Sequence, residues 1–116
     1  MQIAFKALGR KKPGEMNKTE AEHADHLKQL ESVGEILCFG FEEFTFKLAN
    51  DLRYTPDFWV LRTDLHLEFH EVKGGFITDD GRDKLKMAAS KYHFLTFKRY
   101  QKKSRKEGWV VTEMKA

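Results

Sequence analysis

The chain has 116 residues, 41% of them hydrophobic and 34% charged, which fits one domain with a packed core and a strongly ionic surface. It carries a formal net charge of +3, and from charge alone a polyanion-binding surface and ordinary solvated loops are equally good explanations. The single cysteine, Cys38, cannot form an internal disulfide. No apolar run is long enough to span a bilayer, and the first residues lack the apolar core of a signal peptide. We therefore expect a cytoplasmic protein without a membrane partner.

The N-terminal part of the chain divides into an arm and a helix. Residues 1–16 are expected to form a basic arm, and residues 17–116 the folded domain. The first helix is predicted to begin after Asn17, which matches a capping box with Glu20 three positions later. Gly34 is suited to end this helix. The apolar stripe of the helix consists of Ala21, Ala24, Leu27 and Leu30.

Strands are predicted to follow this helix. Residues 36–48 are rich in Phe and indicate one long strand or two short ones, broken near Glu42-Glu43. Residues 58–61 and 65–73 indicate a hairpin that turns around Thr63-Asp64.

The C-terminal part of the chain predicts a helix and two further strands. The helix is expected after Asp79-Asp80-Gly81, and its apolar stripe is Leu85, Ala88, Ala89 and Tyr92. A strand is expected over residues 94–97, a basic loop over 102–108 and a short strand over 109–112. The resulting order is helix, three strands, helix, strand, with one late extra strand, in a single α/β (α+β) domain.

The hairpin carries two acids and a lysine at a suggestive spacing. Side chains alternate between the faces of a strand, so Glu71 and Lys73 lie at the end of an apolar face. If the hairpin turns through the three residues Thr63-Asp64-Leu65, Asp57 lies directly opposite Glu71, within reach of one cation. A two-residue turn would place the two acids on opposite faces.

These residue types suit phosphodiester hydrolysis. Two carboxylates supply the hard oxygen ligands that Mg²⁺ prefers, and a bound metal can activate a water molecule. Lys73 can orient that water and offset the charge that develops on the phosphate. The alternative is an Asp at a strand start and a Glu-Lys ion pair at a strand end, without catalysis.

Glu20 is a candidate third acid. On a helical wheel it falls beside Ala24 and Leu27, on the buried stripe, whereas Glu22 and Asp25 point away. An inward carboxylate at a helix start can complete a metal site, and it can equally serve only as the cap of its own helix.

Basic residues around these acids are candidates for DNA contacts. The N-terminal arm, the second helix and the C-terminal basic loop would supply them. The set consists of Arg10, Lys11, Lys12, Lys84, Lys86, Lys102, Lys103 and Arg105. The histidines have no zinc-finger spacing; His66 and His70 are expected on the outward face of the hairpin, and His23 is expected to be packed.

Pro56-Asp57 followed by Glu71-Val72-Lys73 resembles the PD-(D/E)XK motif of the nuclease superfamily of that name. The predicted element order over residues 17–98 is similar to its restriction-endonuclease-like core, and Glu20 falls where many members carry a helix acid. The segment Tyr54-Thr55-Pro56-Asp57-Phe58 also resembles that of small phage-encoded endonucleases, a group related to Holliday-junction resolvases.

The resemblance implies a mixed, mainly antiparallel sheet flanked by helices, with Glu20, Asp57, Glu71 and Lys73 as catalytic residues. It also implies Mg²⁺ or Mn²⁺, held by Asp57, Glu71 and the backbone carbonyl of Val72, with Glu20 as a further candidate ligand.

The function implied is a metal-dependent DNA endonuclease, structure-selective for branched DNA such as Holliday junctions, in phage DNA recombination or processing in the host cytoplasm. Two symmetric scissile positions in a junction imply a homodimer. The alternatives are a nicking or repair nuclease that acts on ordinary duplex, and a non-catalytic nucleic-acid-binding protein on a nuclease fold.

Overall fold

A computed structural model describes residues 14–75 and 83–115. Helix α1, Lys18–Ser32, begins where the sequence predicts, because Asn17 and Glu20 form a reciprocal capping box. The Asn17 side chain accepts from the Glu20 N–H at 2.8 Å, and the Glu20 carboxylate accepts from the Asn17 N–H at 2.9 Å. The helix ends before Gly34, whose φ of +82° favours glycine.

The chain then forms seven strands and a second helix within the described residues. The elements in chain order are β1 Ile36–Phe41, β2 Phe46–Ala49, β3 Leu52–Tyr54, β4 Phe58–Arg62, β5 Leu67–Gly74, α2 Lys84–Lys91, β6 Thr96–Ser104 and β7 Gly108–Glu113. The main sheet has the order β1-β4-β5-β6-β7, and β2 pairs with β3 in a small second sheet. Only the β5–β6 pair of the main sheet is parallel, and the connection between these strands contains α2. The predicted α+β class with a mixed sheet is confirmed.

Both faces of the main sheet are covered. On one face, α1 packs through Ala24 and Leu27 against Phe58, Val60 and Val72. On the other face, a cluster joins α2 and the small sheet to β5 and β6; its buried members are Tyr54, Phe69, Leu85, Ala88, Ala89 and Phe97. The α2 stripe of Leu85, Ala88 and Ala89 is thus confirmed.

The β4–β5 hairpin has the register that a three-residue turn predicts. Phe58 pairs with His70 and Leu61 with Leu67, so the same register sets Asp57 opposite Glu71. The loop is closed by the Arg62 N–H, which donates to the His66 carbonyl at 2.9 Å.

Several element boundaries differ from the sequence predictions. Strand β3 was not predicted, and β6 continues to Ser104 through residues expected in a basic loop, because it is paired with β5 on one side and β7 on the other. Ala21 is exposed, and His23 takes its place on the buried side of α1. The N-cap of α2 is Asp83; the predicted Asp79-Asp80-Gly81 start and most of the basic arm lie outside the described residues.

The expected outward position of His70 is wrong. His70 is only 2% exposed and lies on the face that α1 covers, where its Nδ1 is 3.0 Å from His23 Nε2. Its Nε2 is 2.9 Å from the Glu68 carboxylate. The polar residues Glu68 and His70 on this face of β5 are therefore buried and hydrogen-bonded to each other and to His23, and they do not form a solvated surface. His23 is packed, as predicted.

Candidate acidic active site

Asp57 stands at the entrance to β4, between the two covered faces of the sheet. Its Oδ2 accepts a hydrogen bond of 2.7 Å from the Val72 N–H on β5. Burial raises the pKa of Asp57 to about 7; the Val72 bond opposes this rise, whereas the nearby carboxylates of Glu20 and Glu71 add to it. The carboxyl group therefore stands where a negative charge is costly without a cation.

Glu20 reaches the same region from the first turn of α1. It is 5% exposed, which confirms its predicted inward position. The close approach of α1 to the end of β5 places it there: a Cβ on Gly74 would lie 2.9 Å from the Thr19 Oγ1. A side chain at position 74 would require the Thr19 side chain to move, so glycine there lets the helix start and the strand end meet closely.

Glu42 is a third acid at this position, and sequence reasoning missed it. One carboxylate oxygen from each of Glu20, Glu42 and Asp57 lies within 4.8 Å of the others. The Glu42 N–H donates to the Asp57 carbonyl at 2.9 Å, and the φ of Glu42 is +52°. The predicted strand break near Glu42-Glu43 was the available signal, but the backbone turn that aims this side chain was not readable.

Glu71 is close enough to Asp57 to raise the pKa of that residue, but it is not one of the three acids whose oxygens converge. Its Oε1 accepts from the Tyr54 hydroxyl at 2.6 Å, and its Oε2 is 3.9 Å from both Lys73 Nζ and an Arg99 guanidinium nitrogen. Burial and the Glu71 carboxylate raise the pKa of Tyr54 far above its ordinary value, so its hydroxyl stays protonated and donates. Tyr54 was quoted in the motif segment but not recognised as a partner of Glu71.

Arg99 ties this side of the site to the start of α2. Its guanidinium lies 2.8 Å from Asp83 Oδ2, the carboxylate that caps α2 through the Lys86 N–H. Its Nε is buried with no hydrogen-bond partner among the described residues. Arg99 therefore links the cap of α2 to Glu71, and its Nε–H donor is left without a hydrogen-bond partner among the described residues.

Lys73 and Val72 complete the motif. Lys73 shares the face of Glu71 and has a side chain that is 47% exposed, so it can contact a ligand from solvent. The N–H of Val72 is committed to Asp57, which puts this peptide beside the acids; the proposed role of its carbonyl as a metal ligand stays a prediction.

The donor set fits a hard divalent cation. Carboxylate oxygens are the ligands that Mg²⁺ and Mn²⁺ prefer, and the three of Glu20, Glu42 and Asp57 converge. A cation among them would offset the burial and the carboxylate repulsion that together raise the pKa of Asp57. The fit is general to hard cations and selects no particular metal.

The predicted DNA-contacting residues have diverse environments. Lys103 and Arg105 are exposed, as is Lys86, and Lys84 is half-buried. Lys102 instead bonds both carboxylate oxygens of Glu22 on α1, at 2.7 and 2.8 Å. Arg10, Lys11 and Lys12 lie outside the described residues.

Neither described helix is long and apolar enough to cross a membrane. Comparison of the chain with protein-family models, with curated proteins and with solved structures gives no match.

Proposed function

We propose that this protein is a metal-dependent DNA endonuclease that hydrolyses phosphodiester bonds in branched DNA. The observation that carries the proposal is the hairpin register, which sets Asp57 opposite Glu71, with Lys73 on the same face as Glu71. The restriction-endonuclease-like assignment of the core is part of this proposal.

A divalent cation would be held by Asp57 together with the converging carboxylates of Glu20 and Glu42. Glu71, on the paired strand of the hairpin, would be a further ligand. When bound, such a cation supplies Lewis acidity toward the phosphate and lowers the pKa of a coordinated water.

The side chains of the chain then have separate tasks. Asp57, fixed by the Val72 N–H, presents a pre-oriented carboxylate oxygen. Tyr54 holds the Glu71 carboxylate in one orientation, which lowers the entropic cost of ordering it during the reaction. Lys73, exposed at the strand end, can donate to a phosphate oxygen and stabilise its developing charge.

Contacts to the DNA backbone would come from lysines and arginines. The exposed candidates among the described residues are Lys86 on α2, Lys103 at the end of β6 and Arg105 in the turn that follows it; the predicted contacts Arg10, Lys11 and Lys12 lie outside those residues. Such contacts position the substrate without reading its sequence, which suits an enzyme that selects DNA by shape.

The test is cleavage of a four-way junction and of its linear arms, with and without Mg²⁺. We expect Mg²⁺-dependent cleavage that is faster on the junction, and at least a ~100-fold loss in Asp57→Asn. Asn keeps an acceptor for the Val72 N–H, so the fold should persist. Asp51→Asn, in the exposed turn between β2 and β3, is the matched control and should cleave like the parent protein.

The same experiment separates the competing functions. Equal rates on junction and arms would identify a duplex nicking or repair nuclease. Salt-sensitive DNA binding without cleavage would identify a non-catalytic binding protein and refute the enzyme. A resolvase also requires two copies for two symmetric cuts, so junction cleavage should coincide with a dimer in sedimentation.

A further inference from the structure

The last strand of the main sheet has an outer edge that no other strand covers within the described residues. β7 pairs with β6 alone. Proteins usually protect such an edge with lysine, proline or a β-bulge. Residues 109–112 of β7 contain no lysine or proline, and the side chains of Val110 and Val111 are 41% and 50% exposed. This edge is therefore open to pairing with another strand.

The opposite edge of the main sheet, β1, is less suited to such pairing. The ladder of β1 with β4 shifts register between Ile36 and Cys38, and irregularities of this kind turn an edge away from a partner. The β6–β7 ladder, in contrast, is regular over residues 109–113. Residues 38–41 of β1 are also half-buried, whereas residues 110–113 of β7 are exposed. A partner strand therefore fits β7 better than β1.

The hydrogen-bond pattern shows which main-chain groups of β7 point outward. The Met114 N–H donates to the Phe97 carbonyl of β6 at 2.9 Å, so these two opposed residues form a hydrogen-bonded pair. Hydrogen-bonded and non-hydrogen-bonded pairs alternate along an antiparallel ladder. Trp109, Val111 and Glu113 therefore belong to non-hydrogen-bonded pairs with β6. Their N–H and C=O groups face the open edge.

We propose that a second copy of this chain pairs with β7, antiparallel and about a two-fold axis at Val111. Two-fold symmetry lets the same edge serve both copies. Val111 then faces Val111 of the second copy, and Trp109 faces Glu113 of the second copy. This is the only antiparallel register that pairs all three outward residues of β7, and it gives about six main-chain hydrogen bonds between the copies.

Charges beside the strand favour this register. It sets Lys115, which follows β7, opposite Glu107 of the second copy, in the turn before that strand; both residues are exposed. Lys115 also lies 3.1 Å from Glu113 of its own chain, so it would stand between two carboxylates. A register shifted by two residues would set Glu113 opposite Glu107 of the second copy. It would also set Lys115 opposite Arg105, and like charges directly opposed across strands are destabilising.

This pairing would align the two acidic sites. Val72 of β5, whose N–H is bonded to Asp57, lies opposite Tyr100 of β6, and Tyr100 lies opposite Val111. An axis at Val111 therefore places Val72 of both copies on one row across the joined sheets, five strand spacings or about 24 Å apart. Two sites at a fixed separation suit a substrate with two scissile positions. That role rests on the proposed function, whereas the association itself does not.

The test is sedimentation equilibrium of the full chain without DNA, over a series of concentrations. Pairing of one short strand buries little surface, so we expect a reversible monomer–dimer equilibrium. Val111→Lys sets two ammonium groups side by side at the axis and should raise the dissociation constant at least about tenfold. The matched control is Leu37→Lys, at a 47% exposed leucine of β1, which should dimerise like the parent protein.

A charge reversal tests the register. Glu107→Lys opposes two lysines at each end of the paired strands and should weaken the dimer about fivefold. Addition of Lys115→Glu to the same chain restores opposite charges and should recover the parental association. If Val111→Lys does not fold, this reversal decides. A parent protein that stays monomeric at its highest soluble concentration, or a dimer that a folded Val111→Lys leaves intact, would overturn the proposal.

Failure of this surface and failure of the proposed enzyme give different results. Junction cleavage by a dimer that persists in Val111→Lys would support the enzyme and reject the β7 surface. A dimer that is lost in Val111→Lys, together with a parent protein that cleaves no DNA, would support the β7 surface and reject the enzyme.

Discussion

In Asp57, the proposed role in cation binding and the stability of the fold oppose each other. Its pKa of about 7 is raised first by burial and then by Glu20 and Glu71. An acid whose pKa is higher in the folded chain than in the unfolded one destabilises the fold once it ionises. The ionised Asp57 carboxylate that the proposed cation site requires is therefore the form that destabilises the metal-free fold.

We predict that Asp57→Asn raises the free energy of unfolding at pH 8 by ~1–3 kcal/mol while it removes cleavage. The amide removes the buried negative charge and keeps an acceptor for the Val72 N–H. Urea unfolding in a metal-free buffer measures the change, with Asp51→Asn as the reference. A loss of stability in Asp57→Asn would contradict the prediction.

Leu65 occupies a backbone conformation that leucine rarely adopts. Its φ is +68°, in the left-handed region that favours glycine, and its side chain is largely exposed. We expect Leu65→Gly to stabilise the protein by ~0.5–1 kcal/mol, because relief of this strain exceeds the entropy lost by glycine.

The matched control for Leu65 is Leu37→Gly, an exposed leucine with ordinary φ on β1. There the same change should destabilise the protein by a similar amount. Thermal unfolding of both variants measures the difference, and a destabilised Leu65→Gly would show that this leucine contributes packing that its exposure conceals.

At the scale of elements, the basic residues of strand β6 and of the turn after it have different environments. Lys98 and Lys102 point toward α1, where they pair with Glu68 and Glu22. The strand end and turn leave Lys103, Arg105 and Lys106 exposed. A basic cluster that looks uniform in the sequence thus contains two kinds of residue: lysines that form ion pairs with α1 or β5, and exposed lysines and an arginine at the strand end and turn.

We predict that combined Lys103→Ala, Arg105→Ala and Lys106→Ala substitution weakens DNA binding and lowers the slope of log K against log[salt] by up to ~0.9 for each lost phosphate contact. Lys102→Ala should leave that slope nearly unchanged, because Glu22 already neutralises this lysine. Fluorescence anisotropy over a salt series measures both, and equal slopes for all proteins would reject this surface as a DNA contact.

Some features of the fold could be predicted from the sequence, and others could not. The α1 start was readable because a capping box is local. The hairpin itself was readable too, but its register depended on a loop length that the sequence left open between two and three residues. The length of β6 was not readable, since pairing with two neighbours extends it beyond its own propensity. The face of β5 that α1 covers could not be predicted either, because the alternation of residues shows which side chains share a face but not which element packs on that face.

The candidate site was likewise predictable from the sequence only in part. Asp57, Glu71 and Lys73 could be placed relative to one another once the turn was taken as three residues, because Asp57 directly precedes β4 and the other two lie on the paired strand β5. Glu42 could not be placed, because its position depends on a left-handed backbone residue in a connection between strands. The proposed function rests on motif and geometry together.

At the scale of the whole molecule, buried histidines and the buried carboxyl group of Asp57 give opposite responses to pH. Burial lowers the pKa of His23 to about 3, so between pH 6.5 and 5 the unfolded chain binds the extra proton and stability falls as pH falls. Asp57, with its pKa raised to about 7, holds a proton in the folded chain over this range and gives the opposite slope. His70, whose pKa is also lowered by burial, acts with His23.

We therefore predict a shallow decrease in stability of the parent protein from pH 6.5 to 5, and a decrease in Asp57→Asn that is steeper by ~1 kcal/mol per pH unit. Urea unfolding at four pH values measures both slopes. The Asp51→Asn protein should follow the parent. Parallel curves for the parent and Asp57→Asn would show that the carboxyl of Asp57 titrates as in a free peptide.

The three-residue loop of the β4–β5 hairpin has a consequence for how this chain can vary over evolution. Loss or gain of one residue that shifted the pairing by one would send the two acids to opposite faces, and it would also turn the buried side chains of one strand away from the layer that covers them. Insertions and deletions should therefore be tolerated in pairs at this loop or not at all. The length of this loop is therefore constrained by the core and by the proposed acidic site together.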